Sequence, residues 1–421
     1  MLKRARFIII LLLFSSAVYA GGSKVILDNG IKFIENKRDY NPTFSLVIMI
    51  KGGLFLENDK NSGIGNIALS TWVKSSELLK YVEEKGGSLH ASNGSDFAEI
   101  SLSIPSKYID SVLPLLEKLF FERKIDDKIF DNEKRITLMR IKTILDRPDE
   151  YAIKNFMKTT YNGFPYSRDV SGDYDTVDKL TIDDIKSYLN KLISGKNMIV
   201  SIAGSFEKEQ SEKLKTFFEK LNEGHEIKID CNGSEIVDTK KVELPHKNIK
   251  QAKLFLGFDA PPANSNDYIK VKLLADVLGG GMSSVFFNIL RKEKGYAYSV
   301  GSFYPSKLCN SRFVNYIGMN YENVDDAVAT FLSVGKNPEK YISKEDVSKA
   351  KNYLMGRILM EAQTNYKRAW YAAFFELLGL GYDFFDSYID NLENITLEDI
   401  IIVAKKYIND KYTLFILKPT N

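Results

Sequence analysis

Histidine is nearly absent from this sequence: the 421 residues contain three, His90, His225 and His246. None lies three or four residues from another, so no helical face offers the paired imidazoles of a helix-borne metal site. Each reads as a surface or strand residue. Cysteine is scarcer still, with only Cys231 and Cys309. Two thiols without histidine help do not make a structural zinc site. They allow one disulfide in an oxidising compartment, but they fall in different predicted segments and only geometry decides whether they pair. Proline is sparse, at 11 residues, while Tyr and Phe are plentiful at 23 and 26, which fits packed sheets and helices. No low-complexity tract and no long block of like charge is present. The formal net charge is +3, and Lys3, Arg4 and Arg6 account for about that much. The rest of the chain is nearly neutral, so the basic footprint of a nucleic-acid-binding protein is missing.

Long apolar runs are also lacking, apart from one. Phe7 to Phe14 follows the basic cluster at Lys3, Arg4 and Arg6, and Val18-Tyr19-Ala20 supplies a small-residue cleavage pattern. This reads as an export signal over residues 1–20, cut after Ala20. The run is short for a spanning helix. Retention as an uncleaved anchor is the alternative. No other stretch is apolar enough to span a bilayer, and a bacterial periplasm is the simplest destination.

What remains is long enough for two domains. A first half over 21–222 starts with a hairpin, Val25 to Leu27 and Ile31 to Phe33 around Asp28-Asn29-Gly30. A strand near Ser45 to Ile50, helices from Gly63 to Val73 and Ser75 to Lys85, and strands at Ser88 to Asn93 and Phe97 to Ile104 follow. Amphipathic helices come next, one running from Asp127 to Leu145 and stopped before Pro148. A polar stretch over 223–239 reads as an exposed linker. A second half over 240–421 repeats the order, with strands near Ala252, Tyr296, Arg312 and Thr413 among helices. Strands grouped with helices, without strict alternation, indicate an α+β fold with mainly antiparallel sheets.

One stretch is specific. Val277-Leu-Gly-Gly-Gly-Met-Ser-Ser-Val-Phe-Phe-Asn-Ile-Leu-Arg-Lys-Glu-Lys-Gly-Tyr-Ala-Tyr-Ser-Val300 resembles the C-terminal domain signature of the insulinase/pitrilysin zinc peptidase family. Gly86-Gly87-Ser88-Leu89-His90-Ala91-Ser92 is similar to the family's GGS-x-N-A segment, with His90 where asparagine is usual. Gly163-Phe164-Pro165-Tyr166, Ala203-Gly204 and Tyr382-Asp383-Phe384-Phe385 also fall at familiar places. The resemblance implies two related α+β domains facing each other across a chamber.

The departure is as informative. Catalytic members carry H-x-x-E-H on a helix early in the first half, where two imidazoles hold zinc and the glutamate serves its water. The matching positions here are Asn66, Leu69 and Ser70. Met139 or Arg140 stands where the distal acidic ligand is expected. A leucine takes no proton from water. The resemblance therefore implies a chain that binds no zinc itself.

The resemblance also implies what is kept. In the family an Arg–Tyr pair in the C-terminal motif faces the zinc, in the same chain or in a partner. Here the pair is Arg291 and Tyr298, suited to hold a peptide backbone and donate to an oxyanion. Taken alone, Arg291 reads as a solvated helix-end charge and Tyr298 as a strand residue. Gly279, Gly280 and Gly281 lack the Lys-Ser/Thr ending of a phosphate loop and read either as a turn or as a peptide-contact loop. The implied role is a substrate-positioning subunit, partnered by a homologous zinc-bearing chain in a heterodimer. A structural or assembly protein and a solitary peptide-binding protein are the alternatives.

Overall fold

The computed structural model describes residues 22–247 and 249–420. The export-signal reading of residues 1–20 lies outside them. Among the described residues eleven strands form two sheets. The first contains β1 (Ser23–Ile26), β2 (Lys32–Lys37), β3 (Thr43–Lys51), β4 (Ser88–Asn93), β5 (Phe97–Pro105) and β6 (Met198–Gly204) in the order β1-β2-β6-β3-β5-β4. The second contains β7 (Lys240–His246), β8 (Ala252–Ala260), β9 (Ser299–Phe303), β10 (Ser311–Met319) and β11 (Tyr412–Pro419) in the order β7-β11-β8-β10-β9. Each sheet has one parallel pair, β2 with β6 and β7 with β11, and is otherwise antiparallel. From β2 onward the two topologies are the same, so β9 is the counterpart of the edge strand β4. The α+β reading with mainly antiparallel sheets holds.

Side chains on a strand alternate between faces, and both faces of each sheet are used. On β3, Phe44, Leu46, Ile48 and Ile50 point into the first helical core. Val47 and Met49 point the other way, against Ala369, Ala372 and Ala373. Those alanines belong to the helix Asn365–Leu377, which comes from the second half. The exchange is reciprocal. The first half's helix Pro148–Thr160 sends Ala152 and Phe156 onto Phe255, Val314 and Phe415 of the second sheet. Small alanine surfaces let the first of these helices approach its sheet closely. Pro148, read as a stop, occupies the first turn of the exchanged helix, where its missing N–H costs nothing.

The segment 223–239, expected to be an exposed linker, is mostly exposed but is held at several points. Asn197 Nδ2 donates to the His225 carbonyl at 2.7 Å, and Ile236 and Ser234 are buried. Cys231 forms a disulfide with Cys309, across 78 residues of sequence. Beside it lie Tyr161, Phe164 and Tyr166, which gives the Gly163-Phe164-Pro165-Tyr166 motif a packing role. Tyr166 donates to Asp96, and its hydroxyl accepts from the Cys309 N–H at 3.2 Å. Lys307 sits 4.5 Å from the Tyr166 ring centroid and donates to Ser95. Burial pushes the Asp96 carboxyl up, against the pull of Lys307. This junction ties the β4–β5 turn of one half to the loop before β10 of the other.

Candidate functional site

The helix Ile64–Lys74 carries Asn66, Leu69 and Ser70, the three positions matched above to the zinc motif. Asn66 is committed at both ends of its amide: Nδ2 donates to the Val170 carbonyl at 2.6 Å and Oδ1 accepts from the Asn93 N–H at 2.9 Å. Leu69 has no exposed surface and belongs to the apolar core. Ser70 is half-buried. Met139 and Arg140 are both exposed. Glu133 is a buried carboxylate on the same long helix, Asp127–Ile144, but its Oε1 is taken by Lys74 Nζ at 2.7 Å. Among the described residues no three histidine, cysteine, aspartate or glutamate side chains converge as a metal requires. His90 lies exposed on β4, His225 is exposed beyond the first half, and His246 Nε2 meets the Leu145 carbonyl at 2.9 Å. The zinc of catalytic family members therefore does not fit these side chains.

A carboxylate missed in the sequence organises this helix. Glu57 accepts from the Gly63 N–H at 2.8 Å, the Gly65 N–H at 3.1 Å and Asn93 Nδ2 at 3.0 Å. It satisfies donors of the first helical turn, which otherwise lack partners. Its distance from the helix in sequence hid this. Burial pushes Glu57 up to about 7, while the Gly63 and Gly65 N–H groups, Arg168 and Asn93 pull it down. An ordinary glutamate titrates near ~4.3 in an unfolded chain. The folded chain thus holds the extra proton between those values, so this contribution to stability is full below the lower value and lost as pH rises towards 7. We expect the Glu57→Gln variant to lack that loss. From pH 4.5 to 7.5 wild-type stability should fall relative to the variant by on the order of 3 kcal/mol. Urea midpoints of both proteins across this range check it; parallel curves would show that Glu57 titrates normally.

The second half brings the other sequence candidates together around β9. Arg291 lies in a wide-turned π-helix, Phe287–Glu293, where a regular helix to about Arg291 was expected. Such turns often mark functional positions. Arg291 Nη1 donates to the Tyr298 carbonyl at 2.9 Å, and the guanidinium lies 5.1 Å from the Phe287 ring centroid. Tyr298 is 77% exposed, and among the described residues its hydroxyl has no partner. Its N–H donates to the Gly318 carbonyl at 3.0 Å, which places it at the start of β9. Gly279 packs against the same strand: a Cβ there would stand 1.9 Å from the Ser302 nitrogen. Gly280 closes the preceding helix, and Gly281 has a positive φ with open space around it. Close approach thus explains Gly279, and backbone conformation explains Gly281. Among the described residues, no hydrogen bond, ion pair or shared core connects Arg291 or Tyr298 with Asn66, Leu69 or Ser70.

Residues 33–173 match the insulinase family, peptidase family M16, and residues 179–354 match the peptidase M16 inactive domain. The chain belongs to the M16 peptidase family. It is 23% identical over 414 residues to an uncharacterized zinc protease of Rickettsia felis, covering 94% of this chain and 97% of that protein. It is 23% identical over 342 residues to the non-peptidase homolog YmxG of Helicobacter pylori, covering 79% and 78%. It is 21% identical over 354 residues to the mitochondrial-processing peptidase subunit beta of Dictyostelium discoideum, covering 80% and 75%. A solved structure described as a protease from Helicobacter pylori superposes with a TM-score of 0.85 at 21% identity, covering 94% and 99%. Inactive homologues and peptidase subunits thus both occur among the relatives of this M16 chain.

Proposed function

We propose that this M16 chain is the non-catalytic, substrate-positioning subunit of a two-chain zinc peptidase. One observation carries the reading. The Arg291–Tyr298 pair is assembled and open to solvent at the edge of β9, while the helix Ile64–Lys74 carries no histidine and no carboxylate. A free tyrosine hydroxyl and the remaining guanidinium donors suit a peptide carbonyl and the oxyanion formed from it. The zinc and its water come from a homologous partner carrying H-x-x-E-H. A beta subunit of a processing peptidase among the relatives agrees with such an arrangement. The disulfide supports work in an oxidising compartment, as the export signal implies. One contact favours the alternative of a purely structural protein: Arg291 already braces the turn through the Tyr298 carbonyl.

The isolated chain is expected to hold no stoichiometric zinc and to cleave no peptide. Pull-down from its source cells is expected to recover a zinc-bearing homologue. Metal analysis finding one tightly bound zinc per chain, with chelator-sensitive hydrolysis by this chain alone, would overturn the proposal. So would a persistent monomer without such a homologue in light scattering and pull-downs.

A further inference from the structure

The exchanged helix Pro148–Thr160 packs on β11 and β8 and reaches β10 at Val314, leaving the β9 side of the second sheet partly uncovered. A trough of about 520 Å³ remains above β10 and β9. Its floor carries Phe255, Phe303 and Tyr316, and Ile153 of the helix forms a wall. The Phe255 and Tyr316 rings stack with centroids 6.2 Å apart, and Phe303 lies 6.0 Å from Tyr316. Two glycines shape it. A Cβ on Gly301 would stand 2.6 Å from the Tyr316 hydroxyl, so glycine lets that ring lie across β9. Gly318 leaves the end of the floor open, meeting only the tips of Ser299 and Lys253. The rim charges are already matched, Lys253 with Asp149 at 2.8 Å and Arg147 with Glu150 at 2.9 Å.

The first sheet has a trough at the equivalent place, beside β4, with a volume of about 700 Å³. Ser45, Ser88, Ser101, Ser103 and His90 line it. The same topology thus carries a hydroxyl lining in one half and an aromatic lining in the other. Phe255 is buried and Phe303 and Tyr316 are half-buried, so the fold covers this aromatic floor only in part.

We propose that the aromatic trough is a specificity pocket for an aromatic or branched aliphatic side chain of the peptide, a reading that rests on the positioning role of Arg291 and Tyr298. Continuity supports this occupant. Tyr298 immediately precedes Ser299, and its N–H bonds the Gly318 carbonyl; Ser299 and Gly318 form one end of the trough. Neighbouring residues of a strand face opposite sides, and so do those of an extended peptide. A peptide crossing the Ser299 end of β9 presents one residue to the Tyr298 side and the next to the trough. Burying a large apolar side chain there favours it over serine by about tenfold or more.

The test uses the full chain without a partner. The probe is a blocked pentapeptide, Ser-Gly-X-Gly-Ser, with the photoreactive benzoylphenylalanine at X. Label is expected on the segments containing Ile153, Phe303 or Tyr316. The same peptide with phenylalanine at X should compete about tenfold or more better than with serine. Gly318→Leu fills the trough and should cut labelling by a similar factor with an unchanged circular dichroism spectrum. Ile153→Asp alters the opposite wall from a separate element, so a folding defect in the first variant does not hide the result. Label scattered elsewhere, or labelling indifferent to both variants, overturns the pocket. So does label lost once a partner binds, because the partner's own surface then fills the trough. Failure of the positioning role is read separately, in the turnover of the assembled Tyr298→Phe complex.

Discussion

Replacing Arg312 with alanine is expected to cost the folded chain about 3–5 kcal/mol, the range for stripping one partner from a buried ionic network. Arg312 is 1% exposed and spends every N–H it has. Nε donates to Thr160 Oγ1 at 2.8 Å, and Nη2 donates to the Thr160 and Ser234 carbonyls, each at 2.8 Å. Nη1 donates to Asp259 Oδ1 at 2.9 Å and to the Ser311 carbonyl at 3.0 Å. Its guanidinium lies 4.0 Å from the Tyr161 ring centroid. One side chain of β10 thus grips the end of the exchanged helix and the connecting segment at once. Alanine leaves the buried carbonyls of Thr160 and Ser234 without donors and Asp259 without its cation. Burial already holds Asp259 up at about 6 against the pull of Arg312, so the carboxyl should protonate more readily in the variant. Lysine restores charge but has three donors on one point, and should recover only part of the loss. Urea unfolding measures the loss, and trypsin cleavage within 223–239 reports release of the segment. A midpoint equal to wild type, with the segment still protected, would show that the junction does not depend on this residue.

Nothing local in the sequence marks Arg312 as buried, because an arginine opening a strand normally faces water. What could be read was what repeats at short range. Ser88 to Asn93 matches β4 residue for residue, and the alternation of Phe97 to Ile104 gives β5 to within one residue. The helix Leu397–Tyr407 carries a local signal as well, because Thr396 and Asp399 form a reciprocal box at its start. What could not be read was long-range. The exchange of two helices depends on which sheet face is left uncovered, and the apolar stripe of Asn365–Leu377 does not say whose sheet it meets. The Cys231–Cys309 pair spans 78 residues, and only the fold brings its ends together. β7 escaped notice because Lys240-Lys241-Val242-Glu243 is a largely polar edge strand. The same division holds at the site. Asn66, Leu69 and Ser70 take their meaning from a resemblance over a short local stretch. Glu57, which organises their helix, does so through contacts that span a loop.

Tyr298→Phe is expected to lower turnover of the assembled peptidase by about 100- to 1000-fold, or roughly 3–4 kcal/mol, the usual effect of removing one oxyanion donor. The change removes a hydroxyl that has no partner among the described residues, so the fold should not register it. The ring is 77% exposed and contributes little to the core. The Arg291 bond to the Tyr298 carbonyl is a backbone contact and survives the substitution. Assembly and the partner's zinc content should therefore match wild type, and the loss should appear in kcat with KM nearly unchanged. Arg291→Lys behaves differently. It removes both the planar donor fork and the brace on the turn before β9, so it should lower turnover and also loosen that turn. If Arg291 and Tyr298 serve only packing, the order reverses: Arg291→Lys lowers stability, and Tyr298→Phe is silent in every assay. Tyr298→Phe complexes that form normally and cleave peptides at the wild-type rate would therefore remove the shared-site mechanism and leave Arg291 as the brace of a turn.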